Sequence, residues 1–112
     1  MSPTSRTLAE LRKRGLTAQV VERWCSYSHR RIDLLGCIDL VAVGGGRIMG
    51  VQACAGASHA ARLTKALAQP GLRKWLADGG AFSIWSWAKR GARGKRKVWT
   101  LREERITTEM LP

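Results

Sequence analysis

Residues 38–54, IDLVAVGGGRIMGVQAC, constrain the fold of this chain more than any other stretch. Two short apolar runs flank three successive glycines. Ile38, Leu40, Val41 and Val43 form the first run; Ile48, Met49 and Val51 belong to the second. Both are of strand length and rich in β-branched residues, so they predict an antiparallel hairpin. Gly44, Gly45 and Gly46 supply the positive φ of a tight turn. A two-residue turn at Gly45 and Gly46 sets Asp39 opposite Gln52, with both side chains on one face. It also sets Val41 opposite Gly50, leaving open space beside them, and Cys37 opposite Cys54. A three-residue loop would shift this register and separate the pairs.

Asp39 and Gln52 are the polar interruptions of an otherwise apolar hairpin. Two readings follow. Burial alone demands that an acid and an amide be hydrogen-bonded, which makes the pair structural. Two side-chain oxygens on one face also suit a hard divalent cation.

A length of 112 residues fits one compact domain with a modest core, and a hydrophobic share of 45% predicts a folded chain. The expected division is a single domain over 1–112, with a core at about 4–102 and a tail at 103–112. The chain has no apolar run of about eighteen residues and no signal-peptide h-region, so a soluble, cytoplasmic protein is expected. Cys25, Cys37 and Cys54 are odd in number and lack CxxC spacing. That excludes a zinc ribbon and a disulfide framework, and predicts reduced, mostly buried thiols.

The formal net charge is +12 and the pI about 11.1. Nucleic acid is the leading partner for such a field, ahead of an anionic membrane surface. Glu10, Glu22, Asp33 and Asp39 are the only acids before Asp78. A phosphate-binding face avoids acids, so those retained in a basic chain are candidate metal ligands.

Residues 1–15 predict a helix capped by Thr4 or Ser5, carrying Leu8 and Leu11 on one face and ended by Gly15. Arg12, Lys13 and Arg14 at its last turn suit either the helix dipole or phosphate. Residues 16–24 predict a strand with Glu22 flanked by apolar neighbours. Residues 25–36 read as a loop in which Tyr27, His29, Arg30 and Arg31 interleave aromatic and basic groups. After the hairpin, Ser58 is the expected cap of a helix bearing Arg62, Leu63, Lys65 and Leu67. Pro70 opens a second helical piece that buries Leu72, Trp75 and Leu76. Residues 81–88 predict a strand apolar on both faces, one left for a partner or substrate. Residues 89–97, KRGARGKRK, hold Lys89, Arg90, Arg93, Lys95, Arg96 and Lys97 with no acid, the strongest phosphate-binding signal in the chain. Residues 98–102 predict a closing strand, and the last ten residues a frayed or partner-dependent tail. No internal repeat, P-loop, GxGxxG or HExxH is present.

The coarse order is helix, three strands, helix, strand, with an acid on the second strand and a polar residue opposite it. With GCIDLVAV at 36–43, GVQAC at 50–54 and the helix opened by Ser58, this order resembles the PD-(D/E)XK nuclease superfamily, in its Holliday junction resolvase-like branch. The likeness covers residues 4–88. It implies an α/β fold with a restriction-endonuclease-like core: a central mixed β-sheet flanked by helices, in the order αβββαβ, here with an extra C-terminal strand. It implies a Mg²⁺- or Mn²⁺-dependent endonuclease acting on branched or structured DNA with weak sequence preference, and a homodimer suited to two symmetric cuts. Asp39 matches the family's strand acid. Gln52 stands where the family has Glu or Asp, and Cys54 where it has a catalytic lysine. The implied ligands are Asp39, Gln52 and Glu22, with Asp33 in reserve and Glu10 as the helix-one alternative. Lys65, Arg62 or His59 would replace the lysine, Lys65 being preferred. Arg12, Lys13, Arg14, Arg30, Arg31 and the basic residues of 89–97 would hold the DNA backbone. Two other functions compete: a non-catalytic nucleic-acid binder on the same fold, and an RNA-binding basic module.

Overall fold

The computed structural model describes residues 1–112 and begins with a helix, α1 (Pro3–Lys13). Its cap is Ser2, not Thr4 or Ser5: the Ser2 hydroxyl accepts from the Ser5 N–H at 3.1 Å. Pro3 fits the first helical position because it has no N–H to lose there, so the helix starts earlier than expected. Gly15, at φ +86°, ends it.

The strand expected over 16–24 divides in two. β1 (Thr17–Val20) belongs to the main sheet, whereas β2 (Arg23–Cys25) leaves it and pairs antiparallel with β3 (Arg30–Ile32). Residues 25–36 are therefore not one loop. The cause lies at the break: the N–H groups of Val21 and Glu22 both donate to the Asp39 carbonyl, at 2.8 and 3.2 Å. Two donors on one acceptor bend a strand out of its ladder, as in a β-bulge.

β4 (Leu40–Gly44) and β5 (Arg47–Ala55) form the central hairpin, with Val41 opposite Gly50 and Gly44 opposite Arg47 across the two-residue glycine turn. The space beside Gly50 is not open. A Cβ there would lie 2.7 Å from Ile38 Cδ1, so glycine is what admits the Ile38 side chain. A 3₁₀ turn at Gly56–Ser58 leads into α2 (His59–Leu67), and Ser58 makes no side-chain cap bond. α3 (Pro70–Ala77) follows, with Leu72 fully buried and Trp75 and Leu76 packed at the core margin. Together α2 and α3 form the crossover to β6 (Ala81–Arg90), which lies parallel to β5; β7 (Val98–Ile106) returns antiparallel to β6.

The result is a mixed five-stranded sheet, β1-β4-β5-β6-β7, flanked by helices. One face carries Cys37, Ile38, Cys54, Phe82, Ile84 and Ile106 against Ala66 and Leu72 of α2 and α3. The other carries Ala18, Leu40, Ala42, Val51, Ala53 and Trp85 against Leu11 of α1. No face of β6 is left for a partner: Trp85 is buried, and Trp87 Nε1 donates to Thr7 Oγ1 of α1 at 3.0 Å. The tail is docked rather than frayed. Residues 103–106 extend β7, where buried Ile106 pairs with Phe82, and Leu111 packs on the same core. The sequence hides this because charged residues dominate that stretch. All three cysteines are free thiols; Cys37 and Cys54 are buried and Cys25 is half-buried. No helix is long and apolar enough to cross a membrane.

Candidate functional site

Asp39 precedes the first residue of β4, and Gln52 lies on β5. The regular ladder stops at Leu40 and Val51, and the Asp39 N–H turns to the Val51 carbonyl at 2.9 Å. The two side chains still meet on one face. Asp39 Oδ2 accepts from Gln52 Nε2 at 2.6 Å and from the Ala53 N–H at 3.0 Å. Asp39 is 4% and Gln52 2% exposed. Gln52 Oε1 is buried without a hydrogen-bond partner. A buried acceptor left unpaired is costly, which makes it a natural ligand atom.

The break after β1 brings Glu22 to the same place, and the return of β3 brings Asp33. Carboxylate oxygens of Glu22, Asp33 and Asp39 lie within 4.8 Å of one another. Asp33, the reserve acid, thus stands in the cluster beside Glu22. Glu10 is elsewhere, bonded to Arg14 Nε at 2.9 Å. Burial pushes the Asp39 carboxyl up to about 8; the Asp33 hydrogen bond and charge add to the rise, as does Glu22, while the Ala53 N–H opposes it.

The cluster lines a cleft of about 500 Å³. Three cations line it as well: Arg31, Arg62 and Lys65. Lys65 Nζ is 3.8 Å from Asp33 Oδ2, and Arg31 Nη1 is 3.6 Å from Glu22 Oε1. Leu63 and Leu67 face the core, so the opposite side of α2 presents Arg62 and Lys65 to the acids. Cys54 also lines the cleft. Burial raises its thiol above the usual value, against the pull of Arg62, so it stays neutral and supplies no positive charge.

His59 is drawn away from the cleft. Its Nδ1 lies 2.6 Å from Ser86 Oγ and its Nε2 2.7 Å from Glu104 Oε1. Sequence reasoning missed this buried network because its members are joined only through the sheet.

The expected backbone-binding residues are dispersed. Lys89, Arg90, Arg93, Lys95, Arg96 and Lys97 are all exposed, but Lys89 and Arg90 end β6, so the connecting loop is 91–97. Arg30 and Arg31 are on β3. Lys13 is exposed, and Arg12 donates to the Ala18 carbonyl at 3.3 Å. Arg14 is engaged by both Glu103 oxygens at 2.9 Å as well as by Glu10, which raise its pKa. Arg6, whose partner is remote in sequence, stacks 3.8 Å from the centroid of the exposed Trp99 ring.

An all-oxygen donor set of three carboxylates and one amide fits a hard divalent cation better than a soft one. The flanking cations suit an anionic substrate. Comparison of the chain with known protein families, curated proteins and solved structures returns no match.

Proposed function

We propose that this chain is a Mg²⁺-dependent DNA endonuclease with a restriction-endonuclease-like core, hydrolysing phosphodiester bonds in branched DNA. The observation that carries the reading is the convergence of Glu22, Asp33, Asp39 and the unpaired Gln52 Oε1 in a cleft edged by Arg31, Arg62 and Lys65. These residues fit Mg²⁺ or Mn²⁺: the acids would supply charge, and Gln52 a neutral oxygen. Such an ion, when bound, polarises the phosphate and lowers the pKa of an attacking water. Gln52 Nε2 meanwhile fixes the Asp39 carboxylate by its 2.6 Å bond. Lys65 and Arg62 oppose the negative charge that builds on the phosphate, the task Cys54 cannot perform. The exposed cations of 89–97 hold the backbone without reading bases, so selectivity comes from DNA shape. A homodimer would place two such clefts for paired cuts.

A non-catalytic DNA binder on the same fold is favoured by one observation, the neutral buried thiol of Cys54 in the lysine position. Cleavage of branched and linear DNA in Mg²⁺ or Mn²⁺ separates the two readings. The nuclease cuts branched DNA, and Asp39→Asn abolishes the cut. Wild-type protein that binds DNA yet cuts nothing in either metal is the binder.

A further inference from the structure

The β2–β3 hairpin stands outside the main sheet, and its surface is unlike the rest of the molecule. Trp24 is 58% and Tyr27 96% exposed, within one short hairpin that also carries Arg23, Arg30 and Arg31. Large exposed apolar side chains occurring singly need no explanation; two on one basic hairpin mark a contact surface. The register says which way it faces. Trp24 pairs directly with Arg31, so their side chains share one face, while Arg23 with Ile32 and Cys25 with Arg30 take the other. Arg31 lines the acidic cleft and lies 3.6 Å from Glu22. Trp24 therefore stands beside the mouth of the cleft, with Tyr27 beyond it in the turn. Glu22 and Asp33, two of the three clustered acids, flank the hairpin on either side in the chain.

We propose that the Trp24 face of this hairpin is a stacking platform for an unpaired base next to the phosphate held in the cleft. The proposal rests on the nucleic-acid reading above and names its substrate class: DNA with a splayed or unpaired nucleotide. An indole stacks on the π-face of a base, and stacking of this kind tolerates any sequence. In a continuous duplex that face is covered by neighbouring base pairs, so only a branch, fork or single strand offers it. Arg31 holds the adjoining phosphate while Trp24 takes the base, and Tyr27 extends the platform outward. This gives selectivity for structure without any base-edge contact.

The test measures binding alone, by fluorescence anisotropy in EDTA, with a labelled fork bearing unpaired arms and a continuous duplex of equal length. Trp24→Ala is expected to weaken fork binding about tenfold and to change duplex binding less than about twofold. Trp24→Phe restores most of the loss, because a smaller ring still stacks. A 2-aminopurine at the branch point is quenched by wild-type protein and not by Trp24→Ala. Equal weakening on fork and duplex, or no weakening on either, overturns the platform. If wild-type protein binds neither DNA, the platform and the nucleic-acid reading fall together. If it binds both and Trp24→Ala changes nothing, the platform alone falls.

Discussion

Two polar clusters touch α2, and they are built in opposite ways. At its first residue, His59 joins Ser86 and Glu104 in a closed network in which both ring nitrogens have partners. Arg102 adds a further contact to Glu104 at 3.6 Å. Along its exposed side, Arg62 and Lys65 overlook three crowded carboxylates and an amide oxygen with no partner. The closed cluster has all it needs within the chain and holds the helix to β6 and β7. In the open cluster, burial and the neighbouring acids hold the Asp39 proton on, and the Gln52 oxygen has no donor. Lys65 and Arg31 face Asp33 and Glu22 from 3.8 and 3.6 Å, and Gln52 Oε1 still lacks a partner. Polar burial by itself therefore says little; whether the hydrogen-bond account closes says much.

The widest separation between the clusters should come from Asp39→Asn. Asparagine keeps an oxygen for Gln52 Nε2 and the Ala53 N–H while removing a ligand charge. Cleavage of branched DNA is expected to fall about a thousandfold or more, consistent with losing a main metal ligand. Retained cleavage in a gel assay would remove Asp39 from the chemistry. Lys65→Ala should lower the single-turnover cleavage rate by roughly a hundredfold with DNA affinity nearly intact. Adding Cys54→Lys to that variant should recover part of the rate. Equal losses of rate and affinity would make Lys65 a phosphate anchor instead.

In the closed cluster the effect is on stability. His59→Ala leaves Ser86 without this partner and Glu104 with only its 3.6 Å contact to Arg102, and should cost about 2 kcal/mol in urea unfolding. Divalent-ion affinity, measured by calorimetry, should be unchanged. A lost ion affinity with normal stability would reverse the roles assigned to the two clusters.

The remaining effect is one of pH. The folded-state pKa of Asp39 is raised from 3.8 to about 8, so the folded protein holds a proton the unfolded chain releases. Its contribution is favourable below the lower value and is lost as pH rises through the upper one. In EDTA, wild-type protein should therefore melt progressively lower relative to Asp39→Asn as the pH rises from about 4 to about 8. Parallel melting curves across that range would mean that Asp39 ionises freely.

How much of this was legible in the sequence depends on how far apart the partners lie. The Gly45–Gly46 turn is local, so the hairpin register and the meeting of Asp39 with Gln52 could be read directly. The full acid cluster could not, because it depends on the bend at Val21 and Glu22, which is set by a carbonyl on another strand. In sequence Asp33 is therefore only a reserve, although it completes the cluster. The docking of Ile106 was hidden for the same reason: its partner Phe82 is remote in sequence, and its neighbours are charged. The side of α2 that carries Lys65 follows from the packing of Leu63 and Leu67 against the core, which helical spacing alone does not orient.

Asp39 contributes to the molecule twice, through different atoms. Its main-chain carbonyl takes the Val21 and Glu22 N–H groups and so turns the β2–β3 hairpin out of the sheet. Its carboxylate belongs to the acid cluster. The carbonyl is present whatever residue occupies position 39, whereas the carboxylate is not. Architecture and chemistry are therefore mutationally separable at this position. A lineage carrying this fold could lose the acid through one substitution, keep the projecting hairpin, and later regain the acid without rebuilding the scaffold.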